Sequence, residues 1–150
     1  MLRAKDIMTK DVISLKADTL VSEAGRIFLE KGISGAPVID DSGTIVGIIT
    51  ENDLISQNKR LHIPTVITLF DAIIPLESSK SVEREIRRMT AAFVSEICTT
   101  DVVTISEDAT LTDIATVMTE RGVHLLPVIR GDAMVGIVGK RDVLRGLSQI

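Results

Sequence analysis

The sequence predicts an α/β (α+β) fold built as two β-α-β-β-α units. Three observations predict it: the 150-residue chain repeats itself, each repeat alternates extended and helical patterns, and the apolar residues are almost wholly aliphatic. At an offset of 90, Ile7, Thr9, Asp11, Val12, Asp18, Glu30, Gly32, Pro37, Val38 and Ile39 fall on Ile97, Thr99, Asp101, Val102, Asp108, Glu120, Gly122, Pro127, Val128 and Ile129. After one deletion the offset becomes 89, and Val46, Gly47, Ile48 and Asp53 fall on Val135, Gly136, Ile137 and Asp142. The units are residues 1–55 and 95–150, joined by a linker over 56–94. A hydrophobic fraction of 45% and a mean hydropathy of +0.30 suffice for a core. Three Phe, with no Trp or Tyr, leave that core to Ile, Val, Leu, Met and Ala.

Each unit opens with an extended stretch, 12–15 or 102–105, and continues into a helix over 19–31 or 110–121. Val21, Ala24 and Phe28 share one helix face, and Leu111, Ile114 and Met118 repeat that stripe. Gly32 and Gly122 stop the helices, suiting the left-handed position just past a helix end. The extended runs 37–39 and 45–50 flank the turn sequence DDSG, which becomes RGDA in the second copy, and so predict a hairpin. A second helix follows over 51–57 or 140–147. The linker is too long and too complex for a plain connection, so it is expected to be structured. It reads as extended over 66–69 and helical over 81–93, where Val82, Ile86, Met89 and Phe93 recur at helical spacing and Glu83 can pair with Arg87. That helix is either an amphipathic connector or a partner-docking element.

Several function classes are excluded early. Seventeen Lys and Arg against 21 Asp and Glu, a net −4, argue against nucleic acid and anionic membrane as partners. The opening residues lack a signal-peptide core, and the longest apolar stretch, 66–76, is broken by Thr68, Asp71 and Pro75, so a cytoplasmic location is expected. Cys98 stands alone, which rules out an intrachain disulfide and a cysteine-rich metal site; in the place of Met8 it reads as a small apolar residue. No nucleophile elbow, zinc-protease, Walker or dinucleotide motif occurs, and the two histidines, His62 and His124, lie apart, so no catalytic or metal residue is assigned.

The sharpest local motif is Gly47, Thr50 and Asp53, where a strand passes into a helix. A carboxylate accepts from both hydroxyls of a ribose, a threonine hydroxyl donates to sugar or phosphate, and a helix start presents free N–H groups. The same residues also make a helix capping box. In the second copy Gly139 replaces Thr50 while Asp142 is kept, which a reciprocal cap does not require. Lys140 and Arg141 replace Glu51 and Asn52, and are either phosphate contacts or solvated surface charges. If they do bind phosphate, the second junction suits a phosphorylated ligand, while the first, with Glu51, suits a less charged one or stays empty.

The order DIMT, GISGAPVID and IVGIITENDL, repeated as EICT, GVHLLPVI and MVGIVGKRDV, resembles the cystathionine β-synthase (CBS) domain, and the two copies together resemble a tandem CBS pair, or Bateman module. The resemblance implies two units packed through their sheets as a pseudo-twofold pair, often dimerised. It further implies a regulatory, non-catalytic module whose clefts take AMP, ADP, ATP or S-adenosylmethionine and which signals to a separate protein. It makes Thr50, Asp53 and Asp142 ribose and phosphate contacts. It makes Ile13 with Ala36 and Pro37, and Val103 with Leu126 and Pro127, the wall around adenine, although each also reads as plain core. His124, opposite Ser34, touches a ligand phosphate, touches a dimer partner, or is structural. The competing reading is a ligand-free dimerisation or protein-docking module.

Overall fold

The computed structural model describes residues 1–57 and 93–149, together with the backbone of two strands between them. The chain runs α1 (Ala4–Ile7), β1 (Leu15–Lys16), α2 (Val21–Lys31), β2 (Gly35–Ile39), β3 (Ile45–Thr50), α3 (Glu51–Gln57), β4 (Val66–Leu69) and β5 (Ala72–Pro75). A 3₁₀ turn at Val94–Glu96 opens the second half, followed by β6 (Ile105–Ser106), α4 (Leu111–Arg121), β7 (Leu125–Arg130), β8 (Ala133–Gly139) and α5 (Lys140–Leu147). The α+β class and the doubled unit are as the sequence predicts.

Each unit is a three-stranded sheet with its middle strand second, β1-β2-β3 and β6-β7-β8. The first pairing is parallel, Leu15 against Val38 and Ile105 against Val128, and the second is the predicted antiparallel hairpin. Both hairpins carry a register shift at the same place, between Val38 and Ile39 and between Val128 and Ile129. Ala24 and Phe28 of α2, and Leu111, Ile114 and Met118 of α4, are buried as their stripes require. Gly32 and Gly122 end these helices at φ 64° and 63°, a backbone region that costs an L side chain but not glycine. The α4 helix begins with a complete capping box: Asp113 N–H donates to Thr110 Oγ1 at 3.1 Å, and Thr110 N–H to Asp113 Oδ2 at 3.0 Å.

The extended stretches at 12–15 and 102–105 are mostly not strand. Only Leu15 and Ile105 enter the ladder, because the residues before them are crossing between units. Thr9 exchanges backbone hydrogen bonds with Ile137 of β8, and Thr99 does the same with Ile48 of β3, at 2.8–2.9 Å. Ala4 and Ile7 are therefore buried in one core with Leu111, Ile114, Leu126 and Val138, while Val94 and Ile97 are buried in the other with Ala24, Phe28, Val38 and Ile49. The lead segment of each unit completes the core of the other. Gly47 and Gly136 make the crossing possible. A Cβ on Gly47 would lie 2.5 Å from Cys98 Sγ and 2.9 Å from Thr99 O, and one on Gly136 would lie 2.5 Å from Met8 Sδ and 3.0 Å from Thr9 O.

In the linker, the stretch expected to be extended over 66–69 is β4, and it pairs antiparallel with β5. The helix expected over 81–93 lies outside the described residues except for Phe93, whose backbone is extended and bridges Leu20. Among the described residues no helix is long and apolar enough to cross a membrane.

Candidate functional site

The strand-to-helix junctions β3-α3 and β8-α5 hold the motif residues. At the first, Thr50 N–H donates to Asp53 Oδ2 at 2.9 Å, Thr50 Oγ1 donates to the same oxygen at 3.2 Å, and Asp53 N–H reaches Thr50 Oγ1 at 3.4 Å. The cap is therefore formed. At the second, Gly139 N–H donates to Asp142 Oδ2 at 2.8 Å, so the half of the box that uses the acidic residue needs no side chain at the helix start. Asp142 thus caps its helix through the acidic half of the box alone, with no reciprocal bond from Gly139. Asp142 also does more than cap. Only 7% exposed, it accepts from Thr9 Oγ1 at 3.2 Å and pairs with Arg145 Nη2.

Two open cavities flank these junctions. The first, about 400 Å³, runs between Thr50, Glu51 and Asn52 of the first unit and Thr99, Asp101, Val102 and Val103 of the second. The second, about 670 Å³, runs between Gly139, Lys140, Arg141 and Asp142 of the second unit and Thr9, Asp11, Val12 and Ile13 of the first. Both volumes suit a small ligand. In each, the helix start comes from one unit and the wall from the other, because the crossing segments at 10–14 and 100–104 pass beneath the opposite unit's junction. Pro37 borders the second cavity. Ala36, Leu126 and Pro127 line neither; they lie in the middle strands β2 and β7, paired on both sides, with Ala36 and Leu126 fully buried. Asp53 is half-buried behind Thr50 and outside the lining, whereas His124 and Lys140 line both cavities.

The electrostatics of the two cavities differ. The second sets Lys140, Arg141 and Arg145 against Asp11, Glu51 and Asp142, while the first sets Lys140 against Glu51 and Asp101. Arg145 was missed at the sequence level, since a cation three residues after Asp142 on a helix reads as a surface charge; the copy comparison sets it against Ser56, which was the available signal. Thr9 and Asp11 carried a clearer one, as each is identical to its counterpart, Thr99 or Asp101. Cys98 lies against Gly47, its Sγ 3.7 Å from Ser95 O; burial, with the Asp53 carboxylate nearby, pushes its thiol pKa up, so it is a protonated packing residue. Among the described residues no group of three or more His, Cys, Asp or Glu is placed to hold a metal ion.

Comparison with known proteins places this architecture. The uncharacterized protein MJ1426 of Methanocaldococcus jannaschii is 28% identical over 153 residues, covering 95% of this chain and 89% of that protein. The chloroplastic CBS domain-containing protein CBSX2 of Arabidopsis thaliana is 27% identical over 97% of this chain; the chain spans 63% of its length, and 42% and 31% of two further M. jannaschii relatives. The crystal structure of CBSX2 in complex with AMP superposes with a TM-score of 0.80 at 24% identity, covering 100% of this chain and 99% of that one. The CBS domain pair of protein MJ0100, in complex with 5′-methylthioadenosine and S-adenosyl-L-methionine, gives 0.72 at 23% identity over 99% and 98%. The CBS domain family model matches residues 4–59 and again 94–149, so this chain, a tandem pair of such units exchanging their lead segments, belongs to the CBS-domain family.

Proposed function

We propose that this chain is a regulatory module that binds adenosyl ligands in its two cavities and passes their occupancy to a separate protein. One observation carries the reading. In the second cavity a near-buried carboxylate, Asp142, and three cations, Lys140, Arg141 and Arg145, converge opposite an apolar wall that includes Ile13, Phe28 and Pro37. A carboxylate suits ribose hydroxyls, the cations and the N–H groups at the start of α5 suit phosphate, and the wall suits a purine. AMP in CBSX2, and 5′-methylthioadenosine with S-adenosyl-L-methionine in MJ0100, support the same ligand class. The first cavity, with two carboxylates against one cation among the described residues, suits a phosphate-free adenosyl ligand. In this reading the module is non-catalytic, cytoplasmic and homodimeric, with the residues at 56–94 as a structured linker.

Thermal-shift measurements with AMP, ADP, ATP, S-adenosylmethionine and adenosine test the proposal. A ligand present at about 100 times its Kd adds about 2.7 kcal/mol to the folded state, a clear rise in midpoint. Asp142→Ala is expected to abolish most of the AMP shift, each variant being compared with its own ligand-free midpoint because Gly139 and Thr9 also lose an acceptor. Arg145→Gln is expected to cut the AMP shift more than the adenosine shift. No shift with any of these ligands at millimolar concentration sinks the reading. It would leave the ligand-free assembly module, which is favoured by a second feature: an apolar groove of about 650 Å³ lined by Leu2, by Leu111 and Ala115 of α4, and by Leu147 at the end of α5.

A further inference from the structure

The two cavities are not separate. Ser34, Glu51, His124, Leu125 and Lys140 line both. Ser34 and His124 are counterparts in the repeat, as are Glu51 and Lys140, so the common wall lies where equivalent positions of the two units meet. An exact repeat would put like groups on this wall, and two ligands would meet the same conditions on either side. This chain puts opposite charges there: Glu51 opens α3 and Lys140 opens α5. Among the described residues Lys140 is the only Lys or Arg lining the first cavity, while the second also has Arg141 and Arg145, set against Asp11 and Asp142.

We propose, building on the nucleotide-binding reading above, that the cavities load unequally: a phosphate-bearing adenosyl ligand takes the second and engages Lys140. The first then admits a phosphate-free adenosyl ligand but resists a second phosphate. The reason is Coulombic. With Lys140 neutralised, a phosphate entering the first cavity meets Glu51, Asp101 and the charge of the first ligand across a shared wall. A neutral nucleoside meets none of this opposition. By linkage the penalty is mutual, whichever phosphate binds first.

Isothermal titration calorimetry on the full chain tests this. AMP is expected to bind wild-type protein in two steps, the second weaker on the order of tenfold, and the gap is expected to narrow at high salt. 5′-Methylthioadenosine titrated into protein holding one equivalent of AMP is expected to bind as it does to ligand-free protein. Glu51→Lys, a change at an exposed residue whose fold is checked by circular dichroism, gives the wall two cations and is expected to close the gap between the AMP steps. Two equal and independent AMP steps in the wild type, a gap insensitive to salt, or a gap unchanged by Glu51→Lys overturns the proposal while leaving nucleotide binding intact. No first step with any nucleotide overturns the binding reading and this proposal together.

Discussion

Asp142 shows how one side chain ties a helix start to both units. Its carboxylate holds the start of α5 through Gly139, the lead segment of the other unit through Thr9, and Arg145 on its own helix. A ribose bound there would compete with the last two, and so would be felt by the other unit's lead segment, which packs in this unit's core. A second residue-scale device is purely structural. Arg130 forks onto Glu107, Nε to Oε1 at 2.9 Å and Nη2 to Oε2 at 2.8 Å, and these bonds hold the Glu107 carboxyl below its ordinary value of 4.5. A carboxyl depressed in the folded state supplies stability above its ordinary value and loses it as pH falls through the folded one. Urea denaturation from pH 7 to pH 3 is therefore expected to show stability falling below about pH 4.5, and Glu107→Gln to flatten part of that fall. Equal slopes in the two proteins would show that the fork contributes nothing.

At the scale of elements, the glycines separate two jobs that look alike in the sequence. Gly25, inside α2, has nothing within 4 Å of an added Cβ, whereas Gly47 has Cys98 Sγ and the Thr99 carbonyl inside 3 Å. That carbonyl accepts the Ile48 N–H at 2.9 Å, so it cannot retreat without losing the bridge that joins β3 to the other unit's lead segment. Gly47→Ala is expected to destabilise by about 1–3 kcal/mol through overpacking. Gly25→Ala is expected to be neutral or stabilising by up to about 1 kcal/mol, through helix propensity. Paired urea titrations check both; a harmless Gly47→Ala would mean that the close crossing is not maintained in solution. The motif glycine thus owes its place to the other unit's backbone, which no local reading of the motif reveals.

For the molecule as a whole, the exchange of lead segments makes the two units one folding body. Ala4 and Ile7 are fully or nearly fully buried in the second core, and Val94 and Ile97 in the first, so neither core is complete without chain from the other half. Unfolding by heat is expected to be a single transition, with calorimetric and van't Hoff enthalpies in agreement, despite the doubled sequence. Two resolved transitions would mean that the exchanged segments contribute little to either core. The same exchange places each cavity across both units, so the shape of each depends on how the units pack.

The sequence by itself determined what depends on local pattern. The repeat, the stripes of α2 and α4, the glycine stops, the hairpins and the motif at each strand-to-helix junction all follow from spacing along one stretch of chain. It also marked the asymmetry of Thr50 against Gly139 and Glu51 against Lys140. Only the tertiary structure decided which wall faces which junction, that Ala36, Leu126 and Pro127 belong to the core, that Arg145 faces Asp142, and that Lys140 and Glu51 share a wall. Those facts depend on the crossing of residues 10–14 and 100–104 between units. Contacts between positions some 50 to 130 residues apart, such as Thr99 with Ile48 or Thr9 with Asp142, leave no periodic trace in a single chain; their partners are chosen by burial and hydrogen bonding after both units exist.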